Sequence, residues 1–302
     1  MDLSKLLTEQ RNENSMNLDQ LNTYEILQTI HREDQKVEKA VSDVIPSINE
    51  VVENVYKRLA RGGRLLYVGA GTSGRLGFLD SSECPPTFMT PPEKVQTLMA
   101  GGIEAFFQAV EGSEDNEEQG IKDITEKEVN EDDVVIGITA SGRTPYPIGA
   151  LKAARETGAY TASLTCNKNS LISEYADQAI EVVVGPEVLT GSTRMKAATA
   201  HKMVLNMIST TTMIKLGKVY ENLMVDVQAS NYKLKNRARR IIMEITNVSY
   251  EEADQALAAT NNEVKPAIVM IKSGVTYEEA QKSISKCDGY VREAINYAKQ
   301  LS

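Results

Sequence analysis

Apolar residues recur at three- and four-residue steps along residues 18–60. Val37, Val41, Val44, Ile48, Val51, Val55 and Leu59 make one stripe of a helix. Pro46 falls inside this run and predicts a kink or a break, and Gly62-Gly63 ends it. The period then changes. Residues 64–68 are a short apolar run followed by glycines, the pattern of a buried strand. Residues 133–138, 160–165 and 179–184 read as further strands, and 94–99 as a weaker candidate. Helix-like stretches lie between them at 116–127, 146–157 and 171–175. Strands alternating with helices predict a parallel sheet covered on both faces.

Residues 194–216 read as one long helix without a single Asp or Glu, apolar around most of its circumference. Such a helix is buried or makes a subunit contact, and Lys202, Asn206 and Lys215 argue against a membrane span. Beyond Gly217 the chain reads as helices. Val248-Ser-Tyr-Glu-Glu-Ala253 recurs as Val275-Thr-Tyr-Glu-Glu-Ala280, and each copy has the form of a capping box. Two copies fall short of a solenoid, so a small helical bundle is expected over 231–300. The ten residues 231–240 carry five basic side chains, which suit a solvated helix face or an anion or partner site. Three parts result: a helical arm at 1–56, polar over its first 17 residues, an α/β domain at 57–220 and a C-terminal helical domain at 221–302.

Composition narrows the function. The chain has 302 residues, 33 Lys and Arg against 42 Asp and Glu, and a net charge of −9. That balance opposes a general nucleic-acid binder but leaves room for a local anion site. Three widely spaced cysteines, Cys84, Cys166 and Cys287, suggest neither a disulfide framework nor a zinc site. Two histidines exclude a His-rich metal centre. The polar N-terminus lacks the apolar core of a signal peptide, and no run of about 18 apolar residues occurs. A reducing cytoplasm is the expected compartment.

Three polar turns carry the candidate chemistry. Gly69-Ala-Gly-Thr-Ser-Gly74 follows the first predicted strand and fits GxGxxG. A dinucleotide fold would add an acid at the end of the next strand; here that strand ends in Gly101-Gly102. No Gly-Lys-Ser/Thr follows, so the turn is not a Walker loop. What remains is a glycine turn, the hydroxyls of Thr72 and Ser73 and a helix start, which suits an anion, with simple capping as the alternative. Thr139-Ala-Ser-Gly-Arg-Thr-Pro145 repeats the arrangement. Capping explains Thr144 but not Thr139, Ser141 and Arg143 crowding the same turn. Thr190-Gly-Ser-Thr-Arg-Met-Lys196 opens the long helix, with Ser192 and Lys196 as candidates. Hydroxyl-rich turns at strand ends suggest one phosphorylated small molecule held by several donors.

Gly69-Ala-Gly-Thr-Ser-Gly-Arg-Leu-Gly77, Asp80-Ser-Ser-Glu-Cys-Pro-Pro86, the 109–115 segment Ala-Val-Glu-Gly-Ser-Glu-Asp and Gly191-Ser-Thr-Arg-Met-Lys196 occur in order along the chain. In these motifs the chain resembles the N-acetylmuramic acid 6-phosphate etherase family. It is similar more distantly to the sugar isomerase family and to glucokinase regulatory protein. The resemblance implies a parallel-sheet sugar isomerase domain flanked by helices, with a small all-α bundle at the C-terminus. It also implies a cytoplasmic homodimeric lyase of cell-wall recycling, acting on a phosphorylated amino sugar without metal or redox cofactor. By position, Glu83 matches the family's general acid and Glu114 its second catalytic glutamate.

The chemistry implied is elimination. In the open-chain sugar, the C1 aldehyde acidifies C2–H and the lactyl oxygen sits on C3. A base takes the C2 proton while an acid protonates the departing oxygen, and water then adds at C3. Glu83 is expected to be protonated at that moment, which burial or a nearby carboxylate favours. Glu114 is the expected base, with shared or reversed roles open. His201 is a candidate for ring opening or a structural histidine, and Arg143, Arg194 and Lys196 could face the phosphate or the lactate carboxylate. Two rival readings stay open: an aldose–ketose isomerase on the same scaffold, and a non-catalytic sugar-phosphate sensor.

Overall fold

The structure, a computed structural model, describes residues 6–108, 110–227 and 232–301. Ala109, Asn231 and the first five residues of the arm, all within segments named above, lie outside the described residues. The chain divides into two compact units: residues 1–82 with 93–209, and residues 83–92 with 210–302. This division differs from the boundaries expected after residues 56 and 220. The arm belongs with the sheet because Thr8, Asn12, Ser15 and Glu33 are buried there, and the short segment after Ser82 groups with the C-terminal helices.

In the first unit, helices α1 (Thr23–Asp43) and α2 (Ile45–Ala60) replace the single predicted run. The chain breaks at Val44, and Pro46 falls in the first turn of α2, where a missing N–H costs nothing. A capping box between Asn22 and Glu25 starts α1. Then follow β1 (Leu65–Gly69), α3 (Gly71–Phe88), β2 (Val95–Met99), α4 (Glu104–Phe107), α5 (Glu117–Glu126), β3 (Val134–Ile138), α6 (Pro145–Glu156), β4 (Tyr160–Thr165), β5 (Gln178–Glu181) and α7 (Lys196–Lys215). Residues 171–175 form a 3-10 turn rather than an α-helix.

The five strands form one parallel sheet in the order β2-β1-β3-β4-β5. Every residue of β1, β3 and β4 is buried; β1 and β3 accordingly read as continuous apolar runs, while β4 alternates Tyr160, Ala162 and Leu164 with the buried Thr161, Ser163 and Thr165. The side chains of Leu66, Val68 and Val135 meet Ile124 of α5 and Tyr146, Ile148 and Leu151 of α6 in one core. Helix α2 packs against β3 and β5. Tyr67 donates to the buried Asp80 carboxylate at 2.9 Å, and Asn206 and Ser209 of α7 donate to its other oxygen at 2.8 and 3.0 Å. Burial pushes the Asp80 carboxyl up; those three donors oppose the shift.

The interior of this unit holds a charge pair. Lys196 Nζ meets Glu33 Oε2 at 2.8 Å, and both side chains are almost fully buried. Glu33 also accepts from Asn12 at 2.8 Å, Asn14 at 2.9 Å and Lys36 at 2.5 Å. Burial alone would raise the Glu33 carboxyl, but these donors, Lys196 first, outweigh it and bring it to about 2.

In the second unit, a two-stranded antiparallel pair, β6 (Val219–Tyr220) with β7 (Leu223–Met224), precedes helices α8 (Tyr232–Thr246), α9 (Tyr250–Ala259), α10 (Val264–Ser273), α11 (Tyr277–Lys286) and α12 (Val291–Leu301). Both predicted capping boxes form, Ser249 with Glu252 and Thr276 with Glu279. Ile242, Leu257, Ile268 and Val291 lie in its core, and Asp226 pairs with both Lys218 and Lys265. Among the described residues no helix is long and apolar enough to cross a membrane.

Two groups set the acid response of the first unit. His201 is buried, and desolvation lowers it from 6.5 to about 4; Glu33 is lowered from 4.5 to about 2. In both cases the unfolded chain binds the proton first, so stability falls as pH falls. A first loss is expected between about pH 6.5 and 4 and a second between about 4.5 and 2. Denaturant unfolding against pH checks this. Glu33→Gln, less stable at neutral pH, should flatten the second loss; an unchanged slope below pH 4.5 would refute the assignment.

Candidate active site

Strand order reverses between β1 and β3. From β1 the chain crosses to β2 on one side; β3, β4 and β5 add on the other. The connections after β1 and β3 therefore diverge and leave a crevice at the carboxyl ends of those strands. Two of the three hydroxyl turns sit there, since Gly69 and Ile138 are register partners.

In the first turn, Gly71 has φ +52° and α3 begins at once. A Cβ on Gly74 would stand 2.8 Å from the Gly69 carbonyl oxygen and 2.9 Å from Met99 Cγ, so the helix start is folded tightly onto the strand end. Thr72 and Ser73 lie inside the first helical turn, half-buried. Their hydroxyls have no hydrogen-bond partner among the described residues, so capping, the bland alternative, does not account for them.

In the second turn, Thr144 precedes α6 and Pro145 takes the first helical position, as expected. The Thr144 hydroxyl does not cap the helix, however. It lies 2.8 Å from Thr139 Oγ1, which is also 3.3 Å from Ser141 Oγ. The Arg143 N–H donates to Ser141 Oγ at 3.2 Å. Gly142 has φ +73°, and a Cβ there would stand 2.3 Å from Ser170. Three hydroxyls and the half-buried Arg143 thus converge at the end of β3.

The third turn runs into α7. Gly191 has φ +77°, and Ser192 N–H donates to the Leu189 carbonyl at 2.9 Å. Ser192 is half-buried and Arg194 exposed. Lys196, expected as a substrate contact, points instead into the interior toward Glu33. The first N–H groups of α7, from Lys196 and Ala197, donate to the Glu187 carboxylate at 3.0 and 2.9 Å. The start of this helix is therefore occupied by a protein carboxylate.

Glu114 sits in a 3-10 turn, Ser113–Asp115, exposed to solvent. Its turn borders a cavity of about 380 Å³ lined by Gly101, Gly102, Ser113, Asn116, Gln119 and Asp123. Gly101 and Gly102 leave the carboxyl end of β2, whose Ala100 N–H donates to the Gly69 carbonyl at 3.1 Å. Glu114 thus reaches the same edge of the sheet as the first turn. Glu83 is exposed on α3, two residues before Pro85-Pro86, and belongs to the other unit. The burial expected of it is absent within one chain. A cavity of about 700 Å³ lies in the C-terminal unit, with Asp226, Lys235, Glu263 and Lys265 on its walls.

Comparison with known proteins covers the residues of all three turns. Residues 47–155 match the family described as the glucokinase regulatory protein N-terminal SIS domain, and residues 116–211 match the SIS domain. N-acetylmuramic acid 6-phosphate etherase 1 of Bacillus licheniformis is 57% identical over 271 residues, 90% of this chain and 89% of that protein. The etherases of Bacillus subtilis and Mycolicibacterium smegmatis are 56% and 55% identical over 90% of this chain and 90% and 91% of theirs. The chain belongs to the N-acetylmuramic acid 6-phosphate etherase family. Among solved structures, phosphoheptose isomerase from Neisseria gonorrhoeae is similar with a TM-score of 0.49 and 16% identity, over 63% of this chain and 98% of that one.

Two further side chains of this etherase-family chain stand away from where sequence reasoning put them or were missed by it. His201 is buried, its Nε2 3.5 Å from Cys166 Sγ, and burial holds it neutral at pH 7. That is the environment of a structural histidine rather than a ring-opening group. Asn167 was not singled out, although it donates to the Ala140 carbonyl at 3.0 Å inside the second turn. Its only sequence signal is its place just after β4. Among the described residues no cluster of His, Cys, Asp or Glu could hold a metal ion.

The second turn depends on Gly142. Gly142→Ala combines a left-handed residue with a 2.3 Å clash against Ser170, and a loss of about 2–4 kcal/mol is expected in chemical denaturation. A loss below about 0.5 kcal/mol would show that the turn adapts.

Proposed function

We propose that this protein cleaves the D-lactyl ether of N-acetylmuramic acid 6-phosphate, releasing D-lactate and N-acetylglucosamine 6-phosphate. The observation that carries the reading is identity of 55–57% to curated etherases over nine-tenths of both chains. The geometry supports it: Thr72, Ser73, Thr139, Ser141, Arg143 and Thr144 gather where the sheet reverses, with the free hydroxyls of Thr72 and Ser73, a hydroxyl cluster and helix starts suited to a sugar phosphate. Ser192 adds a donor from the third turn. Lys196 serves the site from the interior and does not touch the sugar.

Glu114 takes the C2 proton of the open-chain sugar, and the C2 carbanion is stabilised by the C1 aldehyde. Glu83 gives its proton to the lactyl oxygen as the C3–O bond breaks, leaving a C2–C3 double bond. Water adds its hydroxyl at C3 and a proton returns to C2. A pair of positioned carboxyls contributes roughly 10²–10⁴-fold each. No electron leaves or enters the substrate, so the sequence of steps needs no redox cofactor.

The reading also takes a homodimer in the cytoplasm. Substrate and a second copy would exclude water from the Glu83 carboxyl, which one chain leaves exposed.

The test is D-lactate release from N-acetylmuramic acid 6-phosphate. Wild-type protein is expected to give stoichiometric lactate and N-acetylglucosamine 6-phosphate. Glu83→Gln should bind the sugar phosphate and lose at least 10²-fold in kcat. A folded wild type that binds without releasing lactate would favour a sensor, and a ketose phosphate product an isomerase.

A further inference from the structure

The N-terminal arm reads as a polar lead-in, yet three of its polar side chains are buried. Thr8, Asn12 and Ser15 are 1%, 6% and 9% exposed. Each is spent on a partner more than 150 residues away. Asn167, just beyond β4, accepts from Leu7 N–H at 2.8 Å and donates through Nδ2 to the Ala140 carbonyl at 3.0 Å and Thr8 Oγ1 at 3.3 Å. Ala140 stands between Thr139 and Ser141, so this one amide ties the arm to the second hydroxyl turn. Asn12 donates through Nδ2 to the Pro186 carbonyl at 3.0 Å and to Glu33 at 2.8 Å. Ser15 donates to the Val188 carbonyl at 2.8 Å. Glu33 in turn holds Lys196, the first residue of α7 and the last of the third turn. The third turn is therefore gripped at both ends: at 186–188 by the arm directly, and at Lys196 through Glu33.

Among the described residues the first turn has no such tie. It is fixed by the close approach of Gly69 and Gly74. The second and third turns, like the first, each hold a left-handed glycine, at 142 and 191. Their hydroxyls point usefully only if these backbones are held in one arrangement, and the arm is the element that meets both.

We propose that residues 7–15 form a clasp that positions the 139–144 and 190–196 turns to receive the phosphosugar, with Asn12 and Asn167 as its positioning residues. This rests on the reading of those turns as the sugar-phosphate site. Neither asparagine touches the substrate. Each acts through the backbone it holds, so its loss should weaken substrate binding more than the chemical step.

Asn12→Ala and Asn167→Ala in the full-length protein test the clasp. Each is expected to raise KM for N-acetylmuramic acid 6-phosphate about 10-fold through the loss of its buried hydrogen bonds, with kcat within about twofold. Asp133→Asn serves as the comparison. Asp133 pairs with Arg64 at the opposite, amino end of β3, so this variant should lose stability without raising KM. Amide hydrogen exchange supplies a readout independent of turnover. Exchange over 139–144 should accelerate at least 10-fold in Asn167→Ala, and over 186–196 in Asn12→Ala, while 69–74 stays unchanged. Ser15→Ala, which removes only the hydroxyl shared between the Val188 and Asn12 carbonyls, is the variant to use where an asparagine variant does not fold. Unchanged exchange in the turns of a folded variant, or a KM shift no larger than that of Asp133→Asn, would overturn the clasp. Absence of lactate release by wild type, with the exchange pattern as expected, would overturn the etherase reading and leave the clasp standing.

Discussion

A strand buried on both faces has nowhere to put an unsatisfied polar group, and three strands of this sheet are buried throughout. Where polar side chains do enter, each is answered. In β4, Thr161 donates to Asp177, Ser163 meets Ser173 and Thr165 donates to the Asn167 carbonyl. Free hydroxyls such as those of Thr72 and Ser73 therefore lie beyond the ends of these strands. The reversal of strand order between β1 and β3 leaves one place there where two turns part. The position proposed for the site thus follows from the burial of the strands.

Buried charge obeys the same constraint at higher stakes. A lone carboxylate at Glu33 or ammonium at Lys196 would cost several kcal/mol in this interior. Together, with three further donors on Glu33, they become a fixed joint between α1 and α7. Asp133 plays a comparable part at the amino end of β3, taking the Arg64 N–H and guanidinium. Neither joint adds much net stability over an apolar replacement. Their value is that they admit one arrangement and penalise the others.

Much of this architecture is legible in sequence because it is local. Continuous apolar runs marked β1 and β3, Pro46 marked the break between α1 and α2, and Ser249 and Thr276 marked two helix starts. The strand expected at 179–184 ends at Glu181, because its one neighbour, β4, ends at the paired Thr165. The short α4 and the two-residue strands β6 and β7 fall below the length at which a period can be read. The turns could be picked out by their glycines and hydroxyls, but the role of Lys196 could not. It depends on Glu33, 163 residues away, and no spacing along the chain encodes that meeting. The burial of Thr8, Asn12 and Ser15 was hidden for the same reason. Glu83 and Glu114 stood out among 42 acids only through the motifs around them.

That separation has a cost in time. Glu33 and most of its neighbours are made early, but Lys196 leaves the ribosome 163 residues later. At synthesis rates of about 5–20 residues per second, the interval is roughly 8–30 s. Until then α1 carries a carboxylate that cannot be buried unpaired, and the arm lacks Asn167, Pro186 and Val188 to hold. The first residues of the chain are thus among the last to find their place, and a nascent chain stalled before the third turn would keep its amino terminus loose and open to proteases.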